Sequence, residues 1–153
     1  MNDKHNDYTD ILIAEDNPND AELATRGLAR SKVANKVVLT KDGQLALDYL
    51  FGQGEYEGRD TTLQPKVVLL DLKLPKLNGL EVLERMRKDP RTKLTPVVIL
   101  TSSQEESDLI RSYHLGANSY IVKPVDFENF TEAIREIGLY WMLLNKVPTT
   151  PKT

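Results

Sequence analysis

Residues 66–75 read KVVLLDLKLP, and this stretch decides the fold. Residues 67–70 form a short run of branched aliphatic side chains, which is typical of a strand buried on both faces of a parallel sheet. The run ends on the carboxylate of Asp71. Because an unpaired charge is costly inside a core, Asp71 is expected where the strand leaves the core. Ligands of open α/β sheets bind outside the carboxyl ends of the strands, so residues that follow other strands become candidate site residues.

Apolar runs of this kind alternate with amphipathic segments along the chain. The predicted strands cover residues 10–14, 36–40, 67–70, 96–100 and 118–122, and the predicted helices cover residues 19–31, 43–51, 80–88, 104–115 and 126–144. Asn19 is the expected cap of the first helix and Asp42 that of the second. This alternation favours right-handed crossovers and a parallel sheet covered on both faces. The sequence therefore predicts an α/β doubly wound fold, a flavodoxin-like (βα)5 domain whose five-stranded parallel sheet has the order 2-1-3-4-5.

Length and composition restrict the class of protein. The 153 residues suit one domain, expected over residues 9–144 between a disordered N-terminus (1–8) and a flexible C-terminal tail (145–153). A net charge of -3 without any long basic run argues against nucleic acid as a partner. The absence of cysteine excludes disulfides and thiol catalysis. Neither a signal peptide nor an apolar run of membrane-spanning length is visible, so we expect a cytoplasmic protein with no membrane contact.

Polar side chains follow four strands that the predicted order makes neighbours. Glu15 and Asp16 follow the first strand, Asp71 the third, Thr101 the fourth and Lys123 the fifth. Three crowded carboxylates repel one another, and Mg²⁺ is a common partner for such oxygen ligands. Lys123 adds a further positive charge and Thr101 a hydroxyl. The set surrounds a place where a phosphoryl group would be stabilised.

Each of these residues also has a purely structural interpretation. An aspartate after a strand is often a turn residue, a Lys-Pro pair is usually part of a loop, and Thr101 could cap the next helix. Four such endings on neighbouring strands are much harder to explain as coincidence. The pattern as a whole therefore favours a functional site.

The chain resembles the receiver domain of two-component response regulators over roughly residues 8–140. The similarity is carried by EDN at 15–17, by Asp71 with Pro75 and Gly79, by Thr101 and Ser102, and by YIVKP at 120–124. The segments LFGQGEY at 50–56 and GLYW at 138–141 are also similar to the small, single-domain regulators that serve bacterial, notably cyanobacterial, phytochrome kinases.

The resemblance implies a role for each matching residue. Asp71 would be the phosphoacceptor, attacking a phosphohistidine of a sensor histidine kinase, and the narrower similarity points to a phytochrome as that kinase. Asp16 and Asp71 would bind Mg²⁺ directly, Glu15 would act through water, and the backbone carbonyl of Lys73 would complete the protein ligands. Glu15 occupies a position where Asp is also common. These roles agree with general chemistry, since a carboxylate can be a covalent nucleophile and a metal neutralises charge during transfer.

The remaining matching positions concern the response to phosphorylation. Lys123 would pair with the phosphoryl oxygens, and the resemblance implies a cis peptide bond between Lys123 and Pro124. Thr101 and Tyr120 would be a switch pair that moves towards the phosphoryl group. Because no output domain follows residue 144, we expect signalling by protein–protein contact. Such a protein is not a classical enzyme, since it catalyses only its own phosphoryl transfer and slow dephosphorylation.

Three alternatives remain open at this point. A haloacid-dehalogenase-like phosphatase also uses an aspartyl phosphate, but it has a second acid where this chain has Lys73. A flavodoxin-like nucleotide binder would need a phosphate-binding loop after the first strand, where Glu15 and Asp16 would repel phosphate. A receiver-like scaffold that works without phosphorylation is the third alternative, although no expected site residue is missing.

The last predicted helix indicates self-association. Its core-facing stripe is expected to comprise Phe127, Phe130, Ile134, Ile137, Trp141 and Leu144. Leu139, Tyr140, Met142 and Leu143 lie off this stripe, so the end of the helix is apolar nearly all round. The resemblance points the same way, because receivers often pair through helix four, strand five and helix five. We therefore expect a symmetric homodimer with Tyr140, Trp141 and Leu143 in the interface.

Overall fold

The computed structural model describes residues 8–34 and 36–146. The strands are β1 (Ile11–Ala14), β2 (Val37–Thr40), β3 (Val67–Leu70), β4 (Val97–Thr101) and β5 (Ser119–Val122). All neighbouring strands pair in parallel, in the order β2-β1-β3-β4-β5. The predicted fold class and strand order are confirmed. The expected disorder at residues 1–7 and over most of the tail, 147–153, concerns residues outside the described part.

Five helices cover the two faces of the sheet. They are α1 (Pro18–Ser31), α2 (Gly43–Phe51), α3 (Gly79–Lys88), α4 (Glu106–His114) and α5 (Phe127–Leu139). Alternate residues of β1, β3 and β4 point to opposite faces, as the pleat requires. On one face they pack with the apolar sides of α1 and α5, and on the other with those of α2 and α3. This two-sided burial explains why β1 and β3 consist of apolar residues only.

The cap of α1 lies two residues before the predicted one. Asn17, not Asn19, is the cap, and its side-chain oxygen accepts hydrogen bonds from the backbone N–H groups of Asn19 and Asp20. Pro18 explains the shift, because proline is well suited to the first helical position, where no N–H is needed. Asp42 caps α2 as expected, accepting from the N–H of Leu45.

The end of α5 also differs from the prediction. The α-helix stops at Leu139 and continues as a π-helical turn over Tyr140–Leu144, closed by a hydrogen bond from Asn145 N–H to the Tyr140 carbonyl. A π turn takes more residues than an α turn, which changes the phase of the apolar stripe. Trp141 is buried, as the predicted stripe requires, whereas Leu144 of the same stripe is 74% exposed. Phe127, the first residue of α5, is 63% exposed and does not join the core stripe either.

None of the helices in the described part of the chain has the length and hydrophobicity needed to cross a membrane.

Gly79 ties the start of α3 to the end of β3. Its N–H donates to the Leu72 carbonyl at 2.8 Å, and a methyl group at this position would overlap the backbone of Asp71 and Leu72. Only glycine permits this close approach.

We predict that Gly79→Ala destabilises the protein by about 1–3 kcal/mol, because the backbone must shift to relieve the overlap. Urea unfolding measures this loss. Glu84→Ala on the exposed face of the same helix is the matched control, with an expected change within about 0.5 kcal/mol. Equal stability of the two variants would contradict the prediction.

Candidate functional site

The register of the sheet brings the ends of the strands to one level. Ala14 of β1 lies opposite Leu70 of β3, so the residues that follow them, Glu15 and Asp71, leave the sheet side by side. Oxygen atoms of Glu15, Asp16 and Asp71 all lie within 4.8 Å of one another. Glu15 and Asp71 are buried, whereas Asp16 is exposed. Parallel pairing therefore gathers three carboxylates at one edge, with one of them open to solvent.

Lys123, which follows β5, extends back into this group. Its Nζ lies 2.7 Å from Glu15 Oε1, 2.8 Å from Asp71 Oδ2 and 2.8 Å from Asp20 Oδ2. The lysine side chain is only 8% exposed. The Lys123–Pro124 bond is trans, so the expected cis bond is wrong, and the ammonium reaches the carboxylates without it.

Burial and charge set the protonation of the two central groups. Burial raises the pKa of Glu15 to about 7, and the charge of Asp71 contributes to the rise while Lys123 opposes it. Burial by itself lowers the pKa of Lys123, but its bonds with Asp20, Asp71 and Glu15 outweigh burial and hold that pKa above its ordinary value. Lys123 is therefore a permanent cation, while Glu15 lacks full compensation for its negative charge.

The donor set fits a hard divalent cation. Carboxylate oxygens are the ligands that Mg²⁺ prefers, and Mg²⁺ usually keeps several waters besides one or two carboxylates. Glu15, Asp16 and Asp71 offer three such oxygens close together, and a single ammonium does not balance their charge. The exposed Asp16 leaves room for waters. The backbone N–H of Lys73 donates to Asp71 Oδ1 at 3.3 Å, and a ligand role for its carbonyl stays a prediction.

Thr101 and Tyr120 meet at a residue that the sequence did not single out. The buried Thr101 accepts a hydrogen bond through Oγ1 from the N–H of Ser103 at 3.3 Å. The Tyr120 hydroxyl donates to the carbonyl of Ser103 at 3.1 Å. Burial raises the pKa of the Tyr120 phenol, which keeps it a donor. The segment after β4 thus connects the two predicted switch residues.

Asp20 is the second residue that sequence reasoning missed. Its acidic side chain lies in the first turn of α1, where it suits the positive end of the helix dipole, and it also contacts Lys123. The available signal was its position in the first turn of the helix that directly follows Glu15 and Asp16.

Comparisons with known proteins agree with this geometry. Residues 11–135 match the family model described as response regulator receiver domain. The regulatory protein FilR2 of Methanothrix harundinacea, a probable regulator of methanogenesis, is 41% identical over 138 residues, which cover 90% of this chain and 86% of that protein. Response regulator Rcp1 of Synechocystis is 36% identical over 142 residues, covering 93% of this chain and 95% of Rcp1.

Solved structures show the same relationship. The Mn²⁺-bound form of Rcp1 superposes with a TM-score of 0.84 at 35% identity, covering 92% of this chain and 99% of that one. The phosphorylated cyanobacterial phytochrome response regulator RcpA gives 0.85 at 37% identity, with the same coverage of the two chains. The parallel sheet, the acidic cluster with its lysine, and these matches lead to one conclusion: this chain belongs to the response regulator receiver domain family.

Proposed function

We propose that this chain is a two-component response regulator that takes a phosphoryl group from the phosphohistidine of a sensor histidine kinase onto Asp71, in a Mg²⁺-dependent reaction. The observation that carries the proposal is the position of Asp71: it ends the central strand, 2.8 Å from the Lys123 ammonium and beside Glu15 and Asp16. A carboxylate placed in this way is both a nucleophile and part of an oxygen-ligand set.

The residues of the site divide the work of phosphoryl transfer. An Asp71 oxygen forms the new bond to phosphorus, while the bond to the histidine nitrogen breaks and the imidazole leaves with the electron pair. Lys123 donates hydrogen bonds to the phosphoryl oxygens, where negative charge accumulates. Glu15, Asp16 and Asp71, with the Lys73 carbonyl, would hold Mg²⁺, which neutralises part of the charge during an in-line transfer.

A groove beside the site supports the docking of a large phosphodonor. It has a volume of about 530 Å³, begins at Glu15 and Asp16, and follows α1 as far as Ala29. Leu39 of β2, 38% exposed, contributes to its apolar wall. The likeness to RcpA, a phytochrome response regulator, favours a phytochrome as the kinase. Such a kinase domain would meet this protein in the cytoplasm, and signalling would proceed by contact with further proteins.

The first test of this function replaces the phosphoacceptor. Asp71→Asn should abolish Mg²⁺-dependent, acid-labile labelling by acetyl phosphate, because an amide cannot act as this nucleophile. Intact-protein mass spectrometry measures the added phosphoryl group. Asp60→Asn makes the same chemical change in the loop between α2 and β3 and should label like wild type.

Two outcomes would contradict the assignment. Normal labelling of Asp71→Asn would place the phosphoryl group elsewhere. A folded wild-type protein that never labels would favour the alternative of a phosphorylation-independent scaffold.

The second proposal concerns the response to the phosphoryl group. We infer that Thr101 and Tyr120 transmit the conformational effect of phosphorylation through Ser103, to which both are hydrogen bonded. Ser103 Oγ also donates to Asp108 Oδ2 at 2.6 Å, which connects the pair to the first turn of α4. A shift of Thr101 towards Asp71 would then disturb the start of α4.

Thr101→Ala tests this coupling. The variant should still accept phosphate, but it should lose most of the phosphorylation-dependent change in amide hydrogen exchange over residues 102–114 and in partner binding. The lost hydrogen bond from Ser103 costs about 1 kcal/mol of stability. Ser102→Ala removes a neighbouring, exposed hydroxyl and should respond as wild type does. If Thr101→Ala shows the full change, the pair does not transmit the signal.

The third proposal is a symmetric homodimer through the C-terminal end of α5 and the π turn. Tyr140 is 47% exposed, Leu143 64% and Leu144 74%, so three large apolar side chains face solvent within one turn. Such a patch is suited to an isologous contact with a second copy. Trp141 packs in the core and is only 8% exposed, so it supports this surface from beneath.

A double substitution tests the dimer. Tyr140→Glu with Leu143→Glu should shift the protein to monomer in sedimentation velocity experiments without unfolding it, because charge opposes burial in an interface. Lys146→Glu changes the charge of an exposed neighbour and should leave the dimer intact. A wild-type protein that stays monomeric at high micromolar concentration, whether phosphorylated or not, refutes this proposal.

A further inference from the structure

Asp20 is held in a fixed place opposite the end of β5. The Asn17 side chain accepts hydrogen bonds from the N–H groups of Asn19 and Asp20, which fixes the first turn of α1. From there, Asp20 Oδ2 accepts a hydrogen bond from Lys123 Nζ at 2.8 Å across 103 residues of sequence. The positive end of the helix dipole stabilises the Asp20 carboxylate. The contact is therefore built by two independent elements rather than by a mobile surface side chain.

The Lys123 ammonium faces three carboxylates and already donates hydrogen bonds to two of them, Asp20 and Asp71. An ammonium group has three N–H donors, and oxygens of Glu15, Asp20 and Asp71 lie 2.7–2.8 Å from its nitrogen. A phosphoryl group on Asp71 that binds Lys123 therefore competes with these carboxylates for its donors. The group of described residues that could hold a cation comprises Glu15, Asp16 and Asp71. A bound cation thus compensates Glu15 and Asp71 directly, while Asp20 continues to depend on Lys123.

Asp20 also brings negative charge close to the phosphoacceptor. Asp20 Oδ2 and Asp71 Oδ2 each lie 2.8 Å from the same nitrogen, so the two oxygens are separated by at most twice that distance. A phosphoryl group on Asp71 adds further negative charge in this space. At such separations the repulsion between charges amounts to a severalfold change in an equilibrium constant, even with a high effective dielectric constant.

We propose that Asp20 is a positioning residue that restrains Lys123 and thereby limits the affinity of the site for phosphoryl groups. This inference rests on the proposed function of Asp71. Asp20 orients the Lys123 ammonium towards the site but keeps one of the N–H donors of Lys123 in a hydrogen bond. The negative charge of Asp20 also repels the incoming phosphoryl group. Removal of this charge frees Lys123 for the phosphoryl oxygens. A purely structural ion pair between α1 and β5 would have the opposite effect, because its loss would loosen Lys123 and weaken phosphoryl binding.

The test uses Asp20→Asn, which keeps the shape and an acceptor for Lys123 but removes the charge. With Mg²⁺ present, beryllofluoride should bind the variant about three- to tenfold more tightly than wild type, as the loss of one nearby charge predicts. Labelling by subsaturating acetyl phosphate should accelerate by a similar factor. In that reaction an Asp71 oxygen bonds to phosphorus, and acetate leaves with the electrons of the broken P–O bond.

Two further variants distinguish the effect of the Asp20 charge on Lys123 from the effect of a change in net charge. Glu22→Gln removes one charge from an exposed site on the same helix, and it should leave beryllofluoride affinity and labelling as in wild type. Asp20→Glu keeps the charge and should return the labelling rate towards that of wild type. Loss of the Asp20 charge should also lower the affinity for Mg²⁺, which calorimetry measures, so beryllofluoride affinities are compared at saturating Mg²⁺.

Each outcome has one meaning. Unchanged or weaker beryllofluoride binding by Asp20→Asn, with wild-type labelling intact, overturns the inference and leaves the function of Asp71 standing. An equal gain in Glu22→Gln also overturns it, since the effect would then be one of net charge. A wild-type protein that does not label at Asp71 overturns the proposed function and this inference with it.

Discussion

A single ammonium group, that of Lys123, faces three carboxylates and cannot neutralise all of them. The structure depends on this imbalance of charge. Glu15 and Asp71 lie buried at the end of the sheet, where an unpaired carboxylate is costly. Lys123 reaches both, together with Asp20, and no other cation is found within ion-pair distance of these three carboxylates among the described residues. The loss of one partner from a buried ion pair typically costs about 3–5 kcal/mol, so the position of Lys123 matters to the fold as well as to the chemistry.

The same imbalance makes the site ready for a ligand. Without a metal, the folded protein holds an excess of negative charge at the strand ends. Burial raises the pKa of Glu15, and the charge of Asp71 raises it further. A divalent cation or a proton reduces that excess of charge, whereas a second lysine would neutralise the site permanently and leave no affinity for a metal. Incomplete compensation therefore favours the binding of a divalent cation, as the proposed function requires.

Much of this arrangement follows from the sequence because it depends on local patterns. Buried strands read as apolar runs, their polar endings are visible, and parallel topology brings these endings together, so Asp71 and Lys123 could be identified before any coordinates. The contact of Asp20 with Lys123 could not, because it joins helix α1 to the residue that follows β5, 103 positions along the chain. The π turn was missed because local helix signals continue through it, and only the exposure of Leu144 reveals the change of phase. The choice of Asn17 over Asn19 as cap depended on Pro18, a signal that the sequence did contain.

The distribution of burial indicates where the domain can change its conformation. Every residue of β1 and β3 is buried, whereas no residue of β5 is, and Ser112 is the only buried residue of α4. Elements with few buried apolar contacts occupy the low-stability end of a protein and move at the least cost in free energy. Thr101 lies at the boundary between these two halves, buried at the end of β4, with Ser103 and Tyr120 on the side of α4 and β5. In the proposed function, a phosphoryl group on Asp71 would meet a fully buried half and a less buried half, and the lower cost of moving the second half would direct the response towards α4 and β5.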